Sequence, residues 1–297
     1  MTERLVVDLR DRVVPNTIGN KAHNIHQLMK KKYLVPTSYV VTWDAYNRFL
    51  DSDPGVLECI HDELKRLIDP DLPYAVRSSA NIEDSMEHSF AGQIKTHLDV
   101  QGLENILEAI RSVWTAVQSE SVHAYLKQLR GVDESLKMAV IIQEMVAPEI
   151  SGVVFSKNPI TALDEIVIEA VRGSGTLLVQ EGVSPLRWVN KWGEWVENPK
   201  DQDGLLYLVN QVVAQTLKIS RTFGKDVDLE WVYDGSNLYW LQMRDITSLE
   251  GVKLYSNKLS KEMLPGIVKP LIWSVNIPIT NGQWIKLIEE VAGKLEI

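Results

Sequence analysis

One arginine followed by small and hydroxylated residues offers the first recognisable chemistry in this chain of 297 residues. A short apolar run, 74–76, leads to Arg77 and the pair Ser78 and Ser79, and the small-residue segment Ser-Phe-Ala-Gly-Gln follows at 89–93. A guanidinium matches phosphate oxygens two at a time, and small residues let backbone N–H groups approach them. The stretch therefore favours polyphosphate binding. The alternative is a structural arginine beside an ordinary serine-rich turn.

Residues 226–244 offer carboxylate, amide and guanidinium groups in a second place. Two apolar runs flank the turn Asp-Gly-Ser-Asn, which predicts a β-hairpin. In a hairpin centred on that turn, Glu230 lies opposite Gln242, Asp228 lies opposite Arg244, and alternation puts all four on one face. The other face is predicted to enter a core and carries Leu229, Trp231, Leu241 and Met243.

The polar face of this hairpin suits Mg²⁺ bound to phosphate, because hard oxygen ligands hold the cation and an arginine holds the anion. A solvent-facing sheet with a cross-strand Asp–Arg pair, worth about 0.2–1 kcal/mol, is the alternative. We favour the binding site, since a solvated face rarely needs an uncharged glutamine opposite its glutamate.

Lys21 follows a glycine-containing turn and precedes apolar residues at helical spacing. The pattern predicts a helix whose first turn carries Lys21, where spare backbone N–H groups also favour anions. A solvated lysine is the alternative interpretation. Residues 138–146 are predicted to form a buried strand that leaves its sheet from Gln143 onward, as an adenine-binding hinge requires, and an ordinary core strand is equally compatible.

The elements that must position these groups alternate between helix and strand along the chain. Helical spacing predicts long helices from 103 to about 129 and over 205–223, the second closed by Gly224. Strands are predicted at 151–156 and 165–170, with another hairpin near 188–196. The length suggests about two domains.

Composition limits the classes of function. The net charge of −9 argues against nucleic-acid binding as the main task. Cys59 is the one cysteine, which excludes an internal disulfide and favours a reducing compartment. No apolar run in the sequence approaches the roughly 18 residues of a membrane span, and the N-terminus lacks a signal-peptide pattern, so we expect a cytoplasmic protein.

Three segments occur in a distinctive order: Gly-Asn-Lys-Ala-His-Asn at 19–24, Ala-Val-Arg-Ser-Ser-Ala with Ser-Phe-Ala-Gly-Gln at 75–93, and Asp-Leu-Glu-Trp with Leu-Gln-Met-Arg at 228–244. Together they resemble the N-terminal nucleotide-binding domain shared by phosphoenolpyruvate synthase (pyruvate, water dikinase), pyruvate phosphate dikinase and rifampicin phosphotransferase. The resemblance extends from about residue 10 to 250. Asn20 stands where that family usually has a second glycine.

This resemblance implies an α+β fold of the ATP-grasp type, in which two lobes enclose ATP. It implies that Lys21, Arg77 and Arg244 contact phosphate and act in catalysis, and that Glu230 and Gln242 bind Mg²⁺. It further implies that Gly92 and Thr96 belong to a loop over the nucleotide and that Gln143 belongs to the adenine hinge.

The resemblance also implies a division of the chain and a partner. Residues 1–250 form the nucleotide-binding region, and 251–297 form a connector toward a swivelling domain, in the same chain or another subunit. That domain carries a histidine, within a Thr-x-x-Gly-Gly-x-x-Ser-His segment, that accepts the β-phosphoryl group of ATP. None of the six histidines in this sequence lies in such a segment. Pyruvate is therefore involved only indirectly. The same domain of an antibiotic phosphotransferase and a non-catalytic ATP-sensing module are the alternatives.

Overall fold

The computed structural model describes residues 4–81, 96–119, 136–174, 184–199, 204–246, 274 and 277–292. The chain divides into two compact units, Met1–Val252 and Lys253–Ile297. In the second unit the described helix is Ile277–Ala292. Across the described ranges, no helix is long and apolar enough to cross a bilayer.

The first unit contains both helices and strands. Its described helices are α1 (Gly19–Lys30), α2 (Trp43–Leu50), α3 (Val56–Leu64), α4 (Leu103–Val117) and α5 (Leu206–Phe223). Its described strands are β1 (Val6–Asp8), β2 (Ser38–Val41), β3 (Pro73–Ala80), β4 (His97–Gln101), β5 (Met138–Glu144), β6 (Ile150–Phe155), β7 (Ile166–Arg172), β8 (Leu186–Lys191), β9 (Glu194–Glu197), β10 (Val227–Tyr233) and β11 (Leu238–Asp245).

The first lobe is built on an antiparallel sheet with strand order β1-β2-β5-β3-β4. Helices α2, α3 and α4 cover one face, where Ile60 and Trp114 join Tyr74 and Val76 of β3 in one apolar cluster. Side chains alternate along a strand, so Arg77 lies on the opposite face. That face carries α1, because Ile141, which pairs with Arg77, packs in a cluster with residues of α1.

The second lobe is built on an antiparallel sheet with strand order β11-β10-β6-β7-β8-β9. Helix α5 packs on it, and Val212 and Ile219 are buried with Trp188, Leu229 and Trp240. The helix ends where Gly224 adopts the left-handed conformation at φ 67°. The predicted helix over 205–223 and the predicted hairpin near 188–196 are both confirmed.

Helix α1 touches both lobes. Ile25 belongs to the cluster on the first sheet, whereas Leu28 belongs to the core of the second lobe. The Asn24 side chain donates a hydrogen bond to the Met243 carbonyl oxygen at 3.1 Å, which ties α1 to β11. The start of α1 is therefore held near β3 of one lobe and β11 of the other.

The predicted α+β class with two lobes is confirmed, since each lobe is an antiparallel sheet with helices packed on it. The strands expected at 151–156 and 165–170 are present as β6 and β7. The helix expected from 103 to about 129 ends earlier, at Val117. Residues 120–135 lie outside the described ranges.

Candidate functional site

The first turn of α1 is fixed by a close approach to β3. Gly19 has φ +74°, and a Cβ there would lie 2.1 Å from the Ser79 carbonyl oxygen, so only glycine fits. The Ser79 hydroxyl donates to the Ile18 carbonyl oxygen at 2.9 Å and accepts from the Ala22 amide at 3.1 Å. Lys21 lies between these two residues. Its backbone is therefore positioned by the strand that carries Arg77.

Asn20, which stands where the resembled family usually has a second glycine, makes a hydrogen bond that links two elements. Its side-chain amide donates to the Asn81 carbonyl oxygen at 3.0 Å. Asn81 in turn accepts from the Lys137 amide through its side chain at 2.9 Å and donates its own amide to the Lys137 carbonyl oxygen. The start of α1, the end of β3 and the segment before β5 are thereby joined.

The hairpin β10–β11 has the register expected from the sequence. Glu230 lies opposite Gln242, and Asp228 lies opposite Arg244. Both predicted pairs are therefore confirmed.

A β-bulge alters the core face of this hairpin. The register shifts after Glu230, so Trp231 faces Trp240 and Leu241 is the extra residue. Leu241 is only partly buried and lies outside the core cluster, whereas Trp240 is fully buried in it. The prediction that Leu241 enters the core is wrong, because simple alternation does not account for the extra residue.

Side chains from the two lobes meet on the polar face of the hairpin. Arg77 Nη2 of the first lobe donates to Glu230 Oε2 at 3.1 Å and to Gln242 Oε1. Arg244 Nη2 donates to Glu230 Oε1 at 3.1 Å, and Arg244 Nε lies 3.3 Å from Asp228 Oδ2. We call these five side chains the inter-lobe cluster.

The surroundings of Glu230 favour the ionised form of its carboxylate. Burial raises its pKa, but the charges of Arg77, Arg244 and Lys21, with the hydrogen bond from Arg77, outweigh burial and hold the pKa below its ordinary value of 4.5. Lys21 thus acts electrostatically on the same carboxylate as the two arginines. Three cations and the carboxylates of Glu230 and Asp228 leave one excess positive charge, which suits an anion.

Gln242 holds a buried polar atom that has no partner within the part of the chain that the structure describes. The residue is 1% exposed, and its Oε1 accepts from Arg77. Its Nε2 has no hydrogen-bond partner among the described residues. Leaving a buried donor unpaired costs about 1–3 kcal/mol. A ligand that brings an acceptor oxygen to this amide would recover that cost.

Gln143 lies on the same face of the first sheet as Arg77, since it is two positions beyond the residue that pairs with Arg77. It is 2% exposed and donates from Nε2 to Ser38 Oγ at 3.0 Å. The predicted buried strand is confirmed. The prediction that this strand leaves its sheet from Gln143 onward is wrong, because Gln143 and Glu144 still pair with β3 and the Met145 amide still donates to the Pro73 carbonyl oxygen. The Gln143 side chain is therefore used inside the lobe, and a backbone hinge would begin after Met145.

Thr96 is exposed and directly precedes β4. The first residue of β4, His97, pairs with Val76. Thr96 therefore lies outside the sheet, directly before the β4 residue that pairs with the neighbour of Arg77. Gly92 falls in the segment 82–95, outside the described residues.

Asp228 and Ser79 support other members of this site. Alternation placed Asp228 on the polar face, and the structure shows that its carboxylate anchors Arg244. The hydroxyl of Ser79 supports α1 from a distant strand. No local pattern signals a contact of that kind.

Two antiparallel-sheet lobes with basic, carboxylate and amide groups between them form a two-lobed α+β domain, as expected for the ATP-grasp type. Within that class, the family described as the pyruvate phosphate dikinase AMP/ATP-binding domain matches residues 54–200. The matched segment, just under half of the chain, is similar to the N-terminal ATP-binding domain of this family.

Curated relatives agree with this assignment. A probable phosphoenolpyruvate synthase of Methanocaldococcus jannaschii is 27% identical over 82% of this chain and 26% of its own length. A rifampicin phosphotransferase of Bacillus cereus is 32% identical over 72% of this chain and 29% of its own length. The chain thus spans between a quarter and a third of these two relatives. D-alanine-D-alanine ligase from Helicobacter pylori overlaps 78% of this chain and 55% of its own, with a TM-score of 0.43 and 10% identity.

Proposed function

We propose that this chain binds ATP with Mg²⁺ and donates the β-phosphoryl group to a histidine on a separate domain or subunit, as part of a phosphoenolpyruvate synthase-type dikinase. The observation that carries the proposal is the inter-lobe cluster. Arg77 from the first lobe reaches Glu230 and Gln242 of the second, and Lys21 acts on the same carboxylate. Similarity to this family's ATP-binding domain supports ATP as the nucleotide.

The three cations serve the phosphates. Lys21 lies in the first turn of α1, where the positive end of the helix dipole adds to its attraction for anions. Arg77 and Arg244 approach the cluster from different lobes, so a phosphate chain between them contacts both. Phosphoryl transfer depends mainly on positioning and charge neutralisation, and we assign that work to these three side chains.

Glu230 and Gln242 fit the expected magnesium. Each presents one side-chain oxygen to the same nitrogen of Arg77, so the two oxygens already converge on a common point. Among the described residues, no group of three or more His, Cys, Asp or Glu side chains forms a metal site. Magnesium commonly takes one or two protein ligands and completes its octahedron with phosphate oxygens and water. When bound, the ion neutralises charge on the phosphates.

We propose that the remaining predicted contacts also bind the nucleotide. We propose that the adenine lies against the end of β5 near Gln143, where backbone groups become available after Met145. Thr96, which directly precedes β4, and Gly92 are proposed to belong to a loop over the nucleotide.

The proposed reaction needs a histidine from elsewhere. ATP that gives its β-phosphoryl group to that histidine leaves AMP, and a water molecule cleaves the bond between the β- and γ-phosphoryl groups, so that the γ-phosphoryl group is released as inorganic phosphate. We propose that residues 1–250 perform this half-reaction and that 251–297 connect to the swivelling domain. Transfer onward to pyruvate would take place in that partner, in the cytoplasm.

Calorimetry with Mg·ATP tests the binding step. The wild-type chain should bind, Glu230→Ala should lose most of the affinity, and Glu194→Ala, an exposed glutamate of β9, should bind like wild type. For the transfer step, a histidine-bearing domain from a phosphoenolpyruvate synthase is added and AMP and acid-labile phosphohistidine are measured. Absence of Mg·ATP binding by the folded wild-type chain would refute the proposal.

The resemblance to rifampicin phosphotransferase supports a second acceptor. In that case the histidine domain of an antibiotic phosphotransferase should accept phosphate faster than that of a phosphoenolpyruvate synthase. A sensing module, by contrast, would bind Mg·ATP and phosphorylate neither domain.

A further inference from the structure

The position of Arg77 carries an inference beyond its expected role as a phosphate contact. One nitrogen, Nη2, lies against Glu230 Oε2 at 3.1 Å and against Gln242 Oε1. These are the side chains to which the proposed function assigns Mg²⁺. We infer that Arg77 is a resident cation at the metal position, and that it must leave these oxygens before a divalent ion can use them. The metal part of this inference rests on the proposed function.

The Arg77 guanidinium neutralises the Glu230 carboxylate without a metal ion. It supplies positive charge to a carboxylate whose side chain is 27% exposed, and the Arg77 side chain itself is 16% exposed. It also fixes the amide orientation of Gln242, since a carbonyl oxygen and not an NH₂ group must face the donor. A second cation placed on the same oxygens would be repelled by Arg77 at short range.

A second contact would keep the Glu230 side chain in position when Arg77 moves away. Its other oxygen, Oε1, accepts from Arg244, and Arg244 is held in turn by Asp228. The two described residues that support Glu230 in this way, Arg244 and Asp228, both belong to the second lobe. Arg77 is the cluster member that comes from the first lobe, so its departure breaks the cross-lobe contact and leaves the carboxylate oriented.

A phosphate chain gives the departing guanidinium a new partner. Arginine pairs with phosphate through parallel hydrogen bonds, so moving Arg77 from Glu230 to a phosphate exchanges one charged partner for another. Without a phosphate, the same movement leaves a partly buried guanidinium unpaired, which is costly. Arg77 therefore couples the two ligands. A divalent ion alone should bind weakly, and nucleotide should raise its affinity by drawing Arg77 away.

Mn²⁺ binding to the nucleotide-free chain tests this inference without any activity measurement. Free Mn²⁺ is counted by electron paramagnetic resonance for wild type, Arg77→Met and Arg48→Met. Arg48 is the matched control, because it pairs with a carboxylate, Asp53, at the surface of the first lobe. We expect Arg77→Met to bind Mn²⁺ about tenfold or more tightly than wild type. Arg48→Met should match wild type.

The result that would overturn the inference is a folded Arg77→Met chain that binds Mn²⁺ no more tightly than wild type. If circular dichroism shows that this variant is unfolded, Arg77→Gln, which keeps a polar side chain, replaces it under the same criterion. Mg·ATP binding by wild type separates this inference from the proposed function. A gain in Mn²⁺ affinity in a chain that binds no ATP would support the resident cation and refute the nucleotide assignment.

Discussion

Replacing Ser79 by alanine tests the idea that β3 positions the first turn of α1. The Ser79 hydroxyl is fully buried and lies between the Ile18 carbonyl oxygen and the Ala22 amide, at 2.9 and 3.1 Å. Ile18 and Ala22 are four residues apart, so these are the groups that close the first turn of a helix. The hydroxyl therefore completes that turn from outside the helix.

The size of the effect follows from the two groups that lose their partner. Each unpaired buried polar group costs about 1–3 kcal/mol, and partial direct pairing of the two groups would recover some of it. We expect Ser79→Ala to lower the free energy of unfolding by about 2 kcal/mol. Lys21 lies within the affected turn, so affinity for Mg·ATP should fall about tenfold, which corresponds to roughly 1.4 kcal/mol.

Urea unfolding followed by circular dichroism measures the first effect and calorimetry measures the second. Ser112→Ala, at an exposed position of α4, is the control and should change stability by less than about 0.5 kcal/mol. If Ser79→Ala is no less stable than Ser112→Ala, the hydroxyl does not support the turn, and the account of how Lys21 is positioned is wrong.

Three further predictions concern other parts of the site. Gly19→Ala should destabilise the chain more than Ser79→Ala, because the new Cβ meets a backbone oxygen at 2.1 Å; an unchanged urea midpoint would contradict the close approach. The stability that Glu230 contributes through its lowered pKa is present above about pH 4.5 and is lost as pH falls through the lower folded-state value. The stability difference between wild type and Glu230→Gln should therefore shrink between pH 6 and 3.5 in urea titrations, and a constant difference would refute this. Trp240→Ala should cost about 3–5 kcal/mol and Leu241→Ala less than about 1, and the reverse order would exclude the bulge.

The sequence could predict the parts of this site that depend on local periodicity. The turn at 234–237 and the alternation around it determine that Glu230 faces Gln242 and Asp228 faces Arg244. The same reasoning failed at Leu241, since a bulge depends on how the hairpin packs and leaves no local pattern. The buried position of Gln143 was predictable from its apolar neighbours, but its bond to Ser38 was not, because that bond joins strands 105 residues apart.

The assembly of the site across the lobes could not be derived from spacing. Arg77 and Glu230 are separated by 153 residues, and no pattern in either segment specifies the other. The resemblance to a known family indicated that they share a ligand, but it did not indicate that they pair with each other. That pairing changes the physical description of the site. A carboxylate–amide pair without a cation beside it would attract divalent ions at any time. Here an arginine from the opposite lobe already neutralises the carboxylate. The pair is therefore expected to accept a divalent ion only when a phosphate is present for the arginine to bind. Under the proposed function, charge neutralisation within the cluster would make metal binding and nucleotide binding depend on each other.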